Sequence, residues 1–381
     1  MLDRGRRRLW PRVLGGAVAV LVVLALAAAF WVAWYFAGVA VAVSHAVVRP
    51  LVASPAPHGD VRITGGRDAS LPGTFGLDWA GGYGGIGAVE SQDGSGALRA
   101  FTPRRGTLAP GTKARVDSYA YDGDPRSAIG LAFDDVRVHT SLGDFPAWYV
   151  PAARSDRTWF VFIHGHDGSR QEALRYLRAL HGAGMPVLVP TYRNDVGAPA
   201  SPDGVDHLGG TEWQDVDAAV RWSLDHGASD VVLGGWSMGG AVALQVADRS
   251  AVAGRIRGLV LDSPVVDWRE VFRRQGSVRG LPEAETDLAM WVAEQRYGLD
   301  LDRLDWVARS AELKVPTLIV HSDADDYVPD GPAKRLAAAR PDLVTLALVP
   351  GAGHTQAWNL DPAGYEQRLL AWLKSRADES G

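Results

Sequence analysis

The chain has 381 residues, 47% of them hydrophobic, which suits one large α/β domain with additions and excludes a disordered tail. It has no cysteine, so a disulfide framework and a thiolate metal site are both excluded. The net charge of -5 conceals a split. Arg4, Arg6, Arg7, Arg8 and Arg12 against Asp3 give a basic end of about +4, and the acidic remainder, near -9, is a poor partner for nucleic acid.

The run from Val13 to Val43 carries no charge and ends in the aromatic cluster Phe30, Trp31, Trp34, Tyr35 and Phe36. It exceeds the roughly 20 residues that span a bilayer, and it predicts a tilted transmembrane helix behind a basic tail over residues 1–12. The arginines before the run, against a single Arg49 soon after it, place the N-terminus in the cytoplasm and all that follows outside the cell membrane. A cleaved signal peptide is the rival, with Ala40-Val41-Ala42 as a cleavage-like triplet, but the apolar run is about twice a typical h-region.

Residues 44–130 read as a linker and a β-rich prelude. Pro50 to Gly59 suits an extended linker. Strand-like pieces follow at Val61 to Thr64, Gly85 to Glu90, Leu98 to Thr102 and Val116 to Tyr121. Gly82-Tyr83-Gly84-Gly85-Ile86-Gly87 matches the dinucleotide fingerprint in letters only. No helix-forming run follows it and no acidic residue stands about 20 positions on at a strand end, so a glycine turn is expected there.

From Leu131 to the end the pattern becomes regular. A hairpin is expected over Val136 to Thr140 and Phe145 to Val150. Strands at Trp159 to Ile163, Val187 to Pro190, Val231 to Leu233, Leu259 to Leu261, Thr317 to Val320 and Val344 to Leu348 then alternate with helices at Arg170 to His181, Glu212 to Leu224 and Pro362 to Lys374. Such alternation builds a mostly parallel sheet with helices on both faces. Residues 264–313 exceed an ordinary crossover and read as a short helical cap, with helices at Glu283 to Tyr297 and Asp302 to Glu312. Trp268, Phe272, Leu288, Met290 and Trp291 there suit either an apolar acyl pocket or the cap's own core.

Chemistry concentrates in five short motifs. In Gly235-Trp236-Ser237-Met238-Gly239, glycines let a strand bend sharply into a helix and leave the serine hydroxyl exposed, a nucleophile elbow. A serine hydroxyl needs a base, itself oriented by a carboxylate. Among ten histidines, His354 alone occupies a glycine-flanked loop between the last strand and the closing helix. For the carboxylate, Asp325 is favoured by its distance from the strand end and the Val328-Pro329 stop, with Asp323, Asp326 and Asp262 as alternatives. Such a base works only when neutral, so activity should fall below a pH of about 6 to 7. Arg193, Asn194 and Asp195 either shape the pocket or form a salt-bridged loop. His164, His166 and Asp167 have the residue types of a metal site, but no distant ligand motif joins them, and neither a metal nor another cofactor is expected.

Residues 131–381 resemble the α/β-hydrolase superfamily, in particular its serine aminopeptidase-like and ABHD-type branch of membrane-anchored bacterial hydrolases. The resemblance rests on Phe162-Ile163-His164-Gly165-His166-Asp167-Gly168, on GWSMGG, on HSDADDYVP, on GAGH and on the stretch from Thr191 to Trp213. It departs at Ser322, where many relatives have glycine. The order Ser237, Asp325, His354 is the one this fold uses. The resemblance implies an oxyanion hole from the backbone N–H groups of Met238 and His166, each worth about 3 kcal/mol to an acyl-transfer transition state. It implies the reaction class but not the substrate; the leading reading is a membrane-anchored serine hydrolase that cleaves an acyl ester, thioester or lipid. A peptidase, an acyltransferase and a non-catalytic tethered binding protein are the other readings, and neither substrate nor oligomeric state is legible.

Overall fold

The computed structural model describes residues 6–152 and 157–378. Of the basic tail over residues 1–12, residues 1–5 lie outside the described residues, and the rest already belongs to the first helix, α1, Arg6–Ala40. Ala, Leu and Val carry α1 to the expected span's last turn. There the chain leaves the helix for a tertiary partner: Asp206 N donates to Val41 O at 3.0 Å and Ala42 bridges Val205. From Gly15 on, most of α1 is exposed, but Ala33 and Ala37, with Val41 just past the helix, are buried in the main core. Spaced four apart, they form one stripe over the last turns of the helix and the residue that follows it.

Six strands then close a small barrel: β1 Leu51–Pro55, β2 Val61–Thr64, β3 Phe75–Trp79, β4 Gly82–Asp93, β5 Gly96–Arg105 and β6 Thr112–Asp117. Their order is β1-β2-β5-β4-β3-β6, with β6 pairing back to β1, so no edge is left exposed. Three expectations need correction. The linker at 50–59 contains β1, because Leu51 and Ala53 alternate inward beneath a proline-rich surface. Gly82 to Gly87 is strand, not turn: a Cβ at Gly82 would meet the Trp79 ring at 2.1 Å and one at Gly84 the Phe101 ring at 2.3 Å. The glycines make room for aromatic neighbours. The strand expected over 116–121 ends at Asp117, whose side chain accepts from Tyr119 N and turns the chain through Ala120 at φ 61°.

After α2, Pro125–Ile129, come β7 Asp134–Thr140, β8 Gly143–Val150, β9 Thr158–Ile163, α3 Leu174–Gly182, β10 Val187–Pro190, α4 Trp213–Asp225, β11 Asp230–Trp236, α5 Met238–Arg249 and β12 Ile256–Asp262. The cap follows as α6 Trp268–Val278 and α7 Glu283–Tyr297. Then come β13 Thr317–His321, α8 Gly331–Ala339, β14 Val344–Leu348, α9 Ala357–Leu360 and α10 Pro362–Asp378. The eight strands run β14-β13-β12-β11-β9-β10-β8-β7, parallel from β14 to β10 with β8 and β7 antiparallel at one edge. The helix expected over 302–312 is a series of turns ending in a 3-10 turn at Ser310–Glu312. Asp305 accepts from Val307 N and Ala308 N, and Trp306 N donates to Val266 O, so side-chain and tertiary bonds displace the helical ones.

The barrel rests on the domain of the eight-stranded sheet through Asn359, whose amide nitrogen donates to Thr74 O and Ser118 O, both at 2.8 Å.

Candidate active site

Parallel strands β9, β11, β12 and β13 end side by side, with Gly235 opposite Ile163 and Trp236 opposite Asp262. Side chains placed just past those ends therefore converge at one edge of the sheet. Ser237 stands past β11 at φ 54° and ψ -119°, a strained backbone for a non-glycine residue. The strain is held from both sides: Ser237 N donates to Asp262 O, and Ser237 O accepts from Gly240 N and Val265 N. A Cβ at Gly239 would lie 2.3 Å from Ile163 O, and one at Gly235 2.3 Å from Gly239 O, so only glycine allows helix and strand to approach this closely.

Ser237, His354 and Asp325 come together. Asp325 Oδ2 lies 2.8 Å from His354 Nδ1, and His354 Nε2 lies 2.8 Å from Ser237 Oγ. A carboxylate only accepts, so Nδ1–H donates to Asp325, leaving Nε2 to accept from the serine hydroxyl. The Asp325 side chain is fully buried. Burial pushes its carboxyl up, but the hydrogen bond and charge of His354 outweigh this and hold it below the usual carboxylate range. Its other oxygen accepts from Tyr327 N and Val328 N, which fixes the carboxylate plane. The Tyr327 ring lies 5.2 Å from the imidazole.

The other aspartates stand apart from the imidazole's nitrogens. Asp323 accepts from Gly351 N and pins the histidine loop. Asp326 pairs with Arg67 of the barrel. Asp262 is buried beneath the site, where desolvation raises its pKa to about 6 although Arg175 is near.

Beside the serine, Gly165 is close enough that a Cβ would meet Ser237 Cβ at 3.2 Å, which sets the His164-Gly165-His166 loop against the elbow. His166 lines the same cavity as Ser237. Met238 opens α5 directly after the serine. His164 does not join His166: it is buried and bonded to Asp195 at 2.7 Å. His166, Asp167 and Asp206 instead bring ligand-type atoms within 4.8 Å of one another, a set that could accept a divalent cation. Here His166 Nε2 pairs with Asp206 at 3.1 Å, and although burial opposes protonation, these carboxylates raise the histidine's pKa. Arg193 makes a buried fork to Asp215, and Asn194 braces the 201–206 loop, so this stretch is a salt-bridged scaffold.

A mostly apolar cavity of about 120 Å³ opens from Ser237. Trp268 and Phe272 of α6 and Met290 of α7 line it, whereas Leu288 packs in the core and Trp291 faces outward. Sequence reasoning missed several supports. Glu172 accepts from Gly165 N, Ser263 Oγ accepts from Thr355 N, and Arg175 donates to Thr355 O. Arg175 and Glu172 are charged residues on the buried face of a short amphipathic segment, the one local signal that could have marked them.

A parallel sheet with a serine on a strained strand-to-helix turn and a histidine on a late loop defines an α/β-hydrolase fold. The sequence model of the alpha/beta hydrolase family matches residues 160–368, and the chain belongs to that family. A second match, to a domain of unknown function, covers residues 43–117 and so coincides with the barrel. An uncharacterized protein of Mycobacterium tuberculosis is 30% identical over 241 residues, 62% of this chain and 77% of its own. Uncharacterized protein YfhR of Escherichia coli is 23% identical, covering 68% and 85%. Among solved structures, an esterase of Pyrococcus furiosus is similar at a TM-score of 0.54 and 20% identity, covering 67% of this chain and 94% of that one. Est1E of Butyrivibrio proteoclasticus, with bound ferulic acid, is similar at 0.51 and 16%, covering 64% and 99%. These last two likenesses are of fold. Membership of the alpha/beta hydrolase family supports a hydrolase activity for this chain.

Proposed function

We propose that the protein is a membrane-anchored serine hydrolase that cleaves an acyl ester, thioester or lipid. The observation that carries this reading is the hydrogen-bonded chain Ser237, His354, Asp325 at one end of an apolar cavity. Ser237 Oγ attacks the acyl carbonyl while its proton passes to His354 Nε2. The bond to the leaving alcohol or thiol then breaks as the imidazolium returns that proton to it. Water attacks the acyl-enzyme, gives a proton to Nε2, and the acid departs as Ser237 Oγ recovers it. Asp325 stabilises the imidazolium throughout, and the N–H groups of Met238 and His166 are the proposed donors to the oxyanion.

Retention of α1 as an anchor is supported by its packing. Val41, within the cleavage-like triplet, is buried and bonded through its carbonyl to Asp206 N. The basic N-terminal tail supports an N-in orientation with the catalytic domain outside the cytoplasmic membrane.

The test is turnover by the full-length protein in detergent of p-nitrophenyl butyrate, a butyryl thioester and an aminoacyl p-nitroanilide. The reading expects ester or thioester cleavage, lowered about 10⁴-fold or more by Ser237→Ala. Ester cleavage that survives the substitution would contradict it, and anilide cleavage as the dominant activity would make the protein a peptidase. The apolar cavity lining favours an acyl chain.

A further inference from the structure

The cavity beside Ser237 is not built from the hydrolase domain and its cap alone. One side is α1: Phe36, Ala37, Val39 and Ala40 line it together with cap residues that include Phe272 and Met290. This wall is held in place. Ala33 and Ala37 are buried against the cap, and a Cβ at Gly38 would come within 3.3 Å of Tyr297 Oη on α7. The Arg296 guanidinium of α7 lies 3.9 Å over the Trp34 ring. Just past α1, Ser44 N donates to Asp167, in the loop that flanks the elbow.

The same helix turn marks a depth. Trp31, Trp34 and Tyr35 are exposed on α1 and form the kind of aromatic belt that sits at the headgroup level. Ala37 and Ala40 follow Trp34 by about 5 to 9 Å along the axis. On the anchored reading the cavity begins at the level of the membrane surface, where the ester groups of amphiphiles lie and from which their chains reach into hydrocarbon.

Resting on the anchored serine hydrolase reading, we infer that the last two turns of the anchor helix are a wall of the acyl pocket and set its chain selectivity, the substrate being an amphiphilic acyl ester drawn from the adjacent leaflet. The anchor is then a specificity element as well as a tether. Phe36 and Ala40 are the residues whose size controls the space offered to the chain.

The experiment uses the full-length protein in nanodiscs and reads the ratio of kcat/KM for p-nitrophenyl decanoate to that for p-nitrophenyl acetate. Ala40→Phe should lower this ratio about tenfold and Phe36→Ala should raise it, since each methylene lost or gained in an apolar pocket changes turnover by about tenfold or more. Leu24→Ala, exposed on α1 and away from the cavity and the aromatic belt, should leave the ratio unchanged. Labelling of Ser237 by a fluorophosphonate in every variant shows that the site is assembled. A ratio within twofold of the unaltered protein for both pocket variants, with labelling intact, would overturn the inference and leave the hydrolase reading standing. Failure of the unaltered protein to label would overturn both.

Discussion

Arg175 Nη1 donates to Asn359 Oδ1 at 2.9 Å, and through that contact the barrel, α3 and the histidine loop share one buried node. The asparagine's nitrogen reaches Thr74 O and Ser118 O, and the arginine's other bonds reach Thr355 O and Glu172. Asn359→Ala breaks three side-chain hydrogen bonds and leaves buried groups without partners. It should cost about 2 to 4 kcal/mol in denaturant unfolding. A change under about 0.5 kcal/mol would mean that the node does not join the two domains energetically.

The three aspartates of the 323–326 turn should rank by their contacts. Asp325→Asn removes the carboxylate that holds the imidazole tautomer and should lower kcat about 10³ to 10⁴-fold with the fold intact. Asp323→Asn keeps an acceptor for Gly351 N and should cost less than about tenfold. Asp326→Asn loses an exposed ion pair and should leave stability within about 0.5 kcal/mol. Because the Asp325 carboxyl is held below the usual range, the acid limb of log kcat/KM should have a slope of about one down to about pH 5, and a slope near two would contradict that assignment.

Backbone room at the elbow gives a third expectation. Gly239→Ala would drive a methyl against Ile163 O, which cannot yield, and should cost about 2 kcal/mol or more together with loss of serine labelling. Gly182→Ala, at the end of α3 with nothing within 4 Å, should be neutral or stabilise by up to about 1 kcal/mol. Equal effects from the two substitutions would refute the close-approach argument.

Asp262 gives a pH signature in stability. Its carboxyl titrates near 4 when unfolded and at about 6 when buried in the fold. The folded state therefore holds the proton more tightly between those values, and stability falls as pH rises through that window, by roughly 2 to 3 kcal/mol from this group. Asp262→Asn should flatten the decline between pH 4 and pH 7. Parallel stability curves for the variant and the unaltered protein would contradict the raised pKa.

Much of this was legible because it is local. The GWSMGG turn and the GAGH loop depend on nearby glycines, and these and the Asp-rich turn after β13 follow strands whose apolar runs are plain in the sequence. The barrel was only half visible: β1 and β3 are short, carry glycine or proline, and exist through pairing with distant strands. Arg175 and Asn359 could not be linked across the intervening chain by any periodicity. The pocket wall was hidden for another reason. In α1 nearly every residue from Val13 is apolar, so no hydrophobic period separates the stripe of Ala33, Ala37 and Val41 from the exposed side.

The most direct measurement is to treat the full-length, detergent-solubilised protein with a fluorophosphonate and map the adduct by mass spectrometry, with Ser237→Ala and His354→Ala alongside. The account predicts a single adduct on Ser237, absent in the first variant and formed far more slowly in the second. A folded, unaltered protein that forms no adduct, or one that forms it on another residue, would contradict the claim that Ser237 is an activated nucleophile.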